Sequence, residues 1–66
     1  MDQKFVSEAG KAIRKKRRAL DLTQSQLAEL AEMTLFSIQR IERGDGTNTK
    51  TLEKIFGILD IQVTFS

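Results

Sequence analysis

The stretch that decides the fold runs from Leu22 to Gly44 and reads LTQSQLAELAEMTLFSIQRIERG. It contains two short amphipathic segments, each preceded by a threonine. Thr23 and Gln26 form a T-x-x-Q capping box before the first segment, and Thr34 can cap the second. Apolar residues then recur at helical spacing on one face of each segment. Because helices this short bury little apolar surface alone, they must pack on each other and on flanking helices.

Two short helices separated by a brief turn are the pattern of a helix-turn-helix, which we place at about residues 24–43. We expect the first of these, helix 2, over Gln24–Ala31 and the second, helix 3, over Leu35–Arg43. Ile38 and Ile41 lie one turn apart and face inward. The opposite face of the second helix carries polar and basic side chains suited to a DNA groove.

From about Ile13 to Asp60 the chain resembles the Cro/cI-type helix-turn-helix of phage repressors and xenobiotic-response-type regulators. The residues that carry the resemblance are Leu22-Thr23-Gln24, Leu27-Ala28 and Ile38-Gln39-Arg40-Ile41-Glu42-Arg43-Gly44. A T-Q-x-x-L-A match alone is weak, whereas I-x-x-I-E-x-G at this distance makes the combination specific. The resemblance implies an all-α, four-helix, lambda-repressor-like domain.

One departure from the family lies in the turn, where Glu32 stands in place of the usual glycine. Positive φ angles are common at this position. A residue other than glycine costs on the order of 1 kcal/mol there if the geometry is kept. Either the turn differs or the strain is tolerated.

The amino-acid composition limits the kinds of fold and function that are possible. The 66 residues form a single domain, 1–66, and include no cysteine, histidine or proline. Without disulfides or thiolate-bound metal, helix packing must stabilise the fold, aided by a partner subunit. No apolar run reaches membrane-spanning length and no signal peptide is evident, so we expect a cytoplasmic protein without a membrane partner. Without histidine or cysteine, and with scattered acidic residues, we predict no enzyme activity, cofactor or metal.

The flanking segments supply two further helices. Helix 4 is predicted after the loop at 44–48, with Asn48 or Thr49 as its cap. Its apolar residues follow the i, i+3, i+4, i+7 spacing and are Leu52, Ile55, Phe56 and Leu59. Helix 1 is expected from about Ser7 to Leu20. Its buried stripe comprises Val6, Ala9, Ile13 and Leu20, with Arg17 on the same side.

The last residues change to a period of two. Ile61, Val63 and Phe65 alternate with polar residues, which predicts a short strand over about residues 61–65. A lone strand leaves its backbone groups unpaired, so we expect it to pair with the same strand of a second subunit in a homodimer. A frayed tail is the alternative. A strand directly after the last helix also resembles the HipB-type antitoxins, whose dimers share an intersubunit sheet.

Two charges occupy positions where apolar residues belong. Arg17 lies on the buried side of helix 1, and Glu42 lies four residues after Ile38 on the buried side of helix 3. Since an unpaired buried charge costs several kcal/mol, we expect these two to meet. The resemblance implies the same pair, which links helix 1 to the end of the recognition helix, and Arg17 can also touch a phosphate.

The basic residues are concentrated in one run. Six of the eleven lie in the eight positions from 11 to 18, whereas the net charge is only +2. A solvated helix face is one interpretation. Beside a helix-turn-helix, we favour a phosphate-facing or steering role.

We predict that helix 3 enters the major groove. Arg40 would read guanine and Gln39 adenine, while Phe36 meets thymine methyls or a sugar edge. The resemblance implies that Gln24 binds the DNA backbone and supports helix 3. It also implies that Arg43 and Lys50 bind phosphates beyond helix 3. Phe36 and its neighbour Leu35 could alternatively be plain surface or form a protein-binding patch. The predicted DNA contacts are Gln24, Ser25, Thr34, Leu35, Phe36, Ser37, Gln39, Arg40, Arg43 and Lys50.

The sequence therefore predicts a dimeric, sequence-specific regulator of transcription, a repressor that binds double-stranded DNA at an inverted repeat. One alternative is a HipB-like antitoxin that represses its own operon and neutralises a kinase-like toxin. The other is a protein-interaction module that does not bind DNA.

Overall fold

The computed structural model describes residues 3–60, which form four helices. These are α1 Gln3–Ala19, α2 Gln24–Ala31, α3 Leu35–Arg43 and α4 Thr49–Leu59. The bounds of α2 and α3 agree with those predicted. No strand occurs between residues 3 and 60. The predicted strand residues Ile61, Val63 and Phe65 lie outside the described residues.

Helix α1 differs from its prediction at both ends. It begins at Gln3 rather than at about Ser7, because no proline or glycine lies in residues 3–7 to interrupt it. It ends at Ala19, and Leu20 in the following turn is 47% exposed. The prediction that Leu20 belongs to the buried stripe is therefore wrong.

Local hydrogen bonds start the three shorter helices. The Thr23 hydroxyl accepts a bond from the Gln26 amide at 3.0 Å, and the Gln26 side chain accepts one from the Thr23 amide at 2.8 Å. Thr34 caps α3 by accepting a bond from the Ser37 amide. Asn48 caps α4 in the same way, with its side-chain oxygen 2.8 Å from the amide nitrogen of Thr51. Asn48, and not Thr49, is thus the cap of α4.

The turn between α2 and α3 keeps the left-handed geometry. Glu32 has φ 55° and ψ 45°, and its amide donates to the carbonyl of Glu29. The amide of Met33 donates to the carbonyl of Ala28 at 2.8 Å, which completes a Schellman motif. The family geometry is therefore retained without the glycine, and the strain at Glu32 is tolerated. Helix α3 ends in the same motif, with Gly44 at φ 79°.

The core lies where the four helices meet. Helix α1 packs on α3 and α4, and α2 packs on the same two helices. The buried cluster consists of Ala9, Ile13, Leu27, Ala28, Ala31, Ile38, Ile41, Leu52, Ile55 and Leu59.

Helix α1 passes very close to the end of α3. A β-carbon on Gly10 would overlap the carbonyl oxygen of Ile41 and would lie 3.0 Å from the carbonyl oxygen of Glu42. Only a glycine permits this approach. It fixes the distance between α1 and the carboxyl end of α3.

Candidate nucleic-acid interface

The outward face of α3 is set by its two buried residues. Ile38 and Ile41 point into the core, so the residues between and around them face outward. Among the predicted contacts, Gln24 and Ser37 are half-buried. The exposed ones are Ser25, Thr34, Leu35, Phe36, Gln39, Arg40, Arg43 and Lys50.

A buried polar cluster holds α3 to the first two helices. Nε of Arg17 donates to Oε2 of Glu42 at 2.7 Å, and Nη2 donates to Oε1 at 3.1 Å. The remaining Arg17 nitrogen, Nη1, donates to the carbonyl of Leu22 at 2.7 Å. Gln24 donates from Nε2 to Oε1 of Glu42 at 3.2 Å. The charges of Arg17 and Glu42 thus neutralise each other, and Gln24 braces α3 through Glu42.

A basic groove lies beside this cluster. It is lined by residues from α1, the start of α2 and the outer face of α3, namely Arg14, Arg17, Arg18, Leu22, Thr23, Gln24, Gln39, Glu42 and Arg43. Three of the predicted DNA contacts, Gln24, Gln39 and Arg43, are brought together here. Lys50 does not line this groove. The structure adds Arg14 and Arg18, which are absent from the predicted contacts although they belong to the basic run.

Helical geometry divides that basic run into different environments. Arg17 is buried and Lys16 is half-buried. The other four cations are exposed at i, i+3, i+4 and i+7, and together they line one surface depression: Lys11, Arg14, Lys15 and Arg18. Arg14 and Arg18 also line the basic groove. The four-cation stripe is therefore continuous with the outer face of α3.

Two side chains on the outer face of α3 have partners of their own. Nε of Arg43 lies 3.1 Å from Oδ2 of Asp45, and both side chains are more than half exposed. The guanidinium carbon of Arg40 lies 5.9 Å from the centre of the Phe36 ring, which is a cation–π contact. The contact between Phe36 and Arg40 could have been expected from the sequence, because residues four apart on a helix are neighbours on its surface.

The arrangement can hold a polyanion against a rigid helix. Cations and side-chain amides surround the outer face of α3, and the start of α2 borders the same groove. None of the described helices is long and apolar enough to cross a membrane.

Comparison with known proteins agrees with this geometry. A family model described as helix-turn-helix matches residues 13–65, which is most of the chain. No curated protein and no solved structure matches the chain. The match covers α2 and α3, the basic groove from Arg14 onward and the Arg17–Glu42 pair. The chain belongs to the Cro/cI-type helix-turn-helix family of DNA-binding regulators.

Proposed function

We propose that this protein is a transcriptional repressor that binds specific sequences of double-stranded DNA as a homodimer. The observation that carries the proposal is the outer face of α3. Its polar and basic side chains are exposed, while Glu42 at its end is fixed by Arg17 and Gln24. A reading helix must be held rigidly if its side chains are to distinguish base edges.

The side chains divide into base readers and phosphate contacts. Arg40 and Gln39 can each make two hydrogen bonds, to guanine and adenine respectively. Cations at the rim of the groove, Arg14, Arg18 and Arg43, would bind phosphates and set the orientation of α3. The amino end of α2, including Gln24 and Ser25, would bind another phosphate. Lys50, at the start of α4, would hold the backbone on the far side of α3.

The dimer is proposed from the sequence alternation of Ile61, Val63 and Phe65. Two such strands can pair with each other, and a two-fold dimer then reads half-sites about 10 bp apart or a multiple of that. Sedimentation of a chain that lacks residues 61–66 tests this. We expect a shift toward monomer at micromolar concentration. DNA binding should weaken as well, because a subunit bound at one half-site no longer holds a second subunit close to the other half-site. If the truncated chain formed a dimer as tight as that of the full chain, the last residues would not form the dimer interface.

Selection of bound sites from random duplex DNA tests the main proposal. We expect an inverted-repeat consensus for the full chain. Arg40→Ala should relax one base pair of each half-site, whereas Arg43→Ala should weaken all sequences by a similar factor. If Arg40→Ala selected the same consensus as the full chain, Arg40 would not be a base reader.

Salt dependence provides a second test. If the dimer engages roughly six to ten phosphates, its affinity should fall about a thousandfold or more between 50 and 200 mM salt. Arg14→Gln and Arg18→Gln should each reduce the slope of log affinity against log salt. Lys54→Gln removes the same charge from the exposed side of α4 and should leave the slope almost unchanged. Equal slopes for all three variants would exclude α1 from the DNA interface.

A protein partner is the second candidate, and exposed apolar side chains favour it. Leu30, Leu35 and Phe36 are all exposed on α2 and α3. An antitoxin that represses its own operon and neutralises a kinase-like toxin would use both activities. Co-purification with the product of a neighbouring gene tests this.

An interaction module that does not bind DNA would fail to be retained on heparin and on random DNA at low salt.

A further inference from the structure

Phe36 is exposed where a soluble protein usually has a polar side chain. It is 62% exposed, more than any other large apolar side chain of residues 3–60. It lies in the first turn of α3, two residues after the cap Thr34, on the side opposite the buried Ile38. The ring is not part of the buried core, so it is available to whatever the outer face of α3 contacts.

Among residues 3–60, the ring makes a cation–π contact with a proposed base reader. The guanidinium carbon of Arg40 lies 5.9 Å from the ring centre, one helical turn further along α3. An arginine at an exposed helix position otherwise samples many rotamers. The contact with Phe36 favours conformations that keep the guanidinium group of Arg40 beside the ring.

We propose that Phe36 and Arg40 form one reading unit, which recognises the 5-methyl group of a pyrimidine at the base pair next to a guanine. This inference rests on the proposed function, because it names what α3 reads in the major groove. Guanine offers N7 and O6 to the two donors of Arg40. The C5-methyl group of thymine projects into the same groove and packs against apolar side chains such as Phe36.

The separation of the two groups indicates neighbouring base pairs. Successive base pairs rise by about 3.4 Å, so two steps span about 6.8 Å. Successive edges are also rotated about the duplex axis by about a tenth of a turn, so edges one step apart are separated by more than the rise and edges two steps apart by more than about 6.8 Å. The 5.9 Å between the ring centre and the guanidinium carbon is longer than one rise and shorter than any two-step separation, so the pair fits edges one step apart. An arginine that already lies beside the ring can hydrogen-bond to guanine while the ring covers the adjacent methyl group.

The ring makes no hydrogen bond, and this determines what it can distinguish. Phe36 cannot tell the O4 acceptor of thymine from the N4 donor of cytosine. It can only distinguish a pyrimidine with a 5-methyl group from one without it. Thymine and 5-methylcytosine should therefore be equivalent to Phe36, and uracil and unmodified cytosine should both be disfavoured.

The experiment uses the full chain and a site selected from random DNA. Each thymine next to a guanine is replaced in turn by uracil, with adenine kept opposite, so that only a methyl group is lost. We expect one such replacement per half-site to weaken binding about fourfold, the factor for one buried methyl group. At the same position, a C·G pair should bind better when its cytosine is 5-methylated, by a similar factor.

Variants assign the effect to the proposed pair. Phe36→Ala should bind the thymine and uracil duplexes equally, and Phe36→Leu, which keeps an apolar side chain but no ring, should retain part of the difference. Arg40→Ala should lose the guanine preference and reduce the penalty for uracil, since the pair acts together. Leu30→Ala, an equally exposed apolar truncation on α2, should keep the full penalty. Thermal melting should show that all four variants are folded.

The outcomes separate the inference from the function on which it rests. Equal binding of thymine and uracil duplexes by the full chain would overturn the inference but leave the repressor proposal intact. The same uracil penalty in Phe36→Ala as in the full chain would also overturn it, because another residue would then meet the methyl group. Failure to select any DNA sequence would instead contradict the proposed function.

Discussion

Arg17 and Glu42 lie 25 residues apart in the sequence and meet through two side-chain hydrogen bonds. Both side chains are almost fully buried, at 9% and 4% exposed. Oε1 of Glu42 also accepts a bond from Gln24, so one carboxylate connects the end of α3 to both α1 and α2. A single buried carboxylate therefore couples the orientation of α3 to both other helices.

Replacing that carboxylate should destabilise the fold. Glu42→Ala leaves Arg17 buried without its counter-charge, which costs roughly 3–5 kcal/mol. This is a large part of the total free energy of unfolding for so small a domain. Glu29 is an exposed acidic residue on α2 and provides the control. Thermal or urea unfolding should show a large loss for Glu42→Ala and almost none for Glu29→Ala, whereas equal small losses would contradict a stabilising role for the pair.

Two glycine-to-alanine substitutions should act in opposite directions. Gly10→Ala places a β-carbon against the carbonyl oxygen of Ile41, so α1 and α3 must move apart and the domain should lose stability. Gly57 lies within α4 with open space where its β-carbon would be. Gly57→Ala should therefore gain up to about 1 kcal/mol from helix propensity. Urea unfolding measures both, and a Gly10→Ala variant as stable as the parent would mean that α1 and α3 are not in close contact.

The left-handed turn after α2 offers a stabilising substitution. Glu32 has φ 55°, a conformation that glycine adopts without steric cost. Glu32→Gly should raise the free energy of unfolding by up to about 1 kcal/mol, less the added entropy of the unfolded chain. Gly44→Ala provides the reverse test at φ 79°, where the new β-carbon would also lie 3.1 Å from Cα of Ser7. A loss of stability for Glu32→Gly would show that its side chain, and not its backbone, matters in this turn.

The sequence predicted those parts of the fold that depend on local signals. The bounds of α2 and α3 followed from the Thr23–Gln26 box, the Thr34 cap and the spacing of apolar residues. The Arg17–Glu42 contact was predictable because each charge occupied an apolar face. The start of α1 was missed because the prediction began at Ser7, although no proline or glycine in residues 3–6 would interrupt a helix there. Leu20 was misassigned because the helix ends one residue earlier than its periodicity implies.

The residues of the candidate site were predicted one at a time and not as a surface. Gln24, Gln39 and Arg43 were assigned separately, from a family resemblance and from side-chain chemistry. Their assembly into one groove with Arg14 and Arg18 depends on the packing of α1 beside α2 and α3. That packing follows from Gly10 and the buried ion pair, which are contacts between segments distant in sequence. The Arg43–Asp45 contact depends on the loop conformation after Gly44, which sequence spacing does not define.

We expect Asp45 to compete with DNA for Arg43. Its carboxylate lies 3.1 Å from the arginine that we propose as a phosphate contact. When DNA binds, Arg43 must exchange or share this partner, and the Asp45 charge would lie near a phosphate of the same sign. An exposed pair of this kind is worth about 0.2–1 kcal/mol. Asp45→Asn should therefore tighten DNA binding about 1.4- to fivefold per half-site without changing the melting temperature noticeably.

Matched variants separate this competition from a general effect of charge. Glu53→Gln raises the net charge by the same amount on the exposed side of α4, outside the basic groove, and should change affinity much less. The gain from Asp45→Asn should be equal for the selected site and for random DNA, since phosphate contacts carry no base information. It should also vanish in an Arg43→Ala background, because no competition remains. If Asp45→Asn tightened binding equally with and without Arg43, its effect would be long-range repulsion and the ion pair would have no part in it.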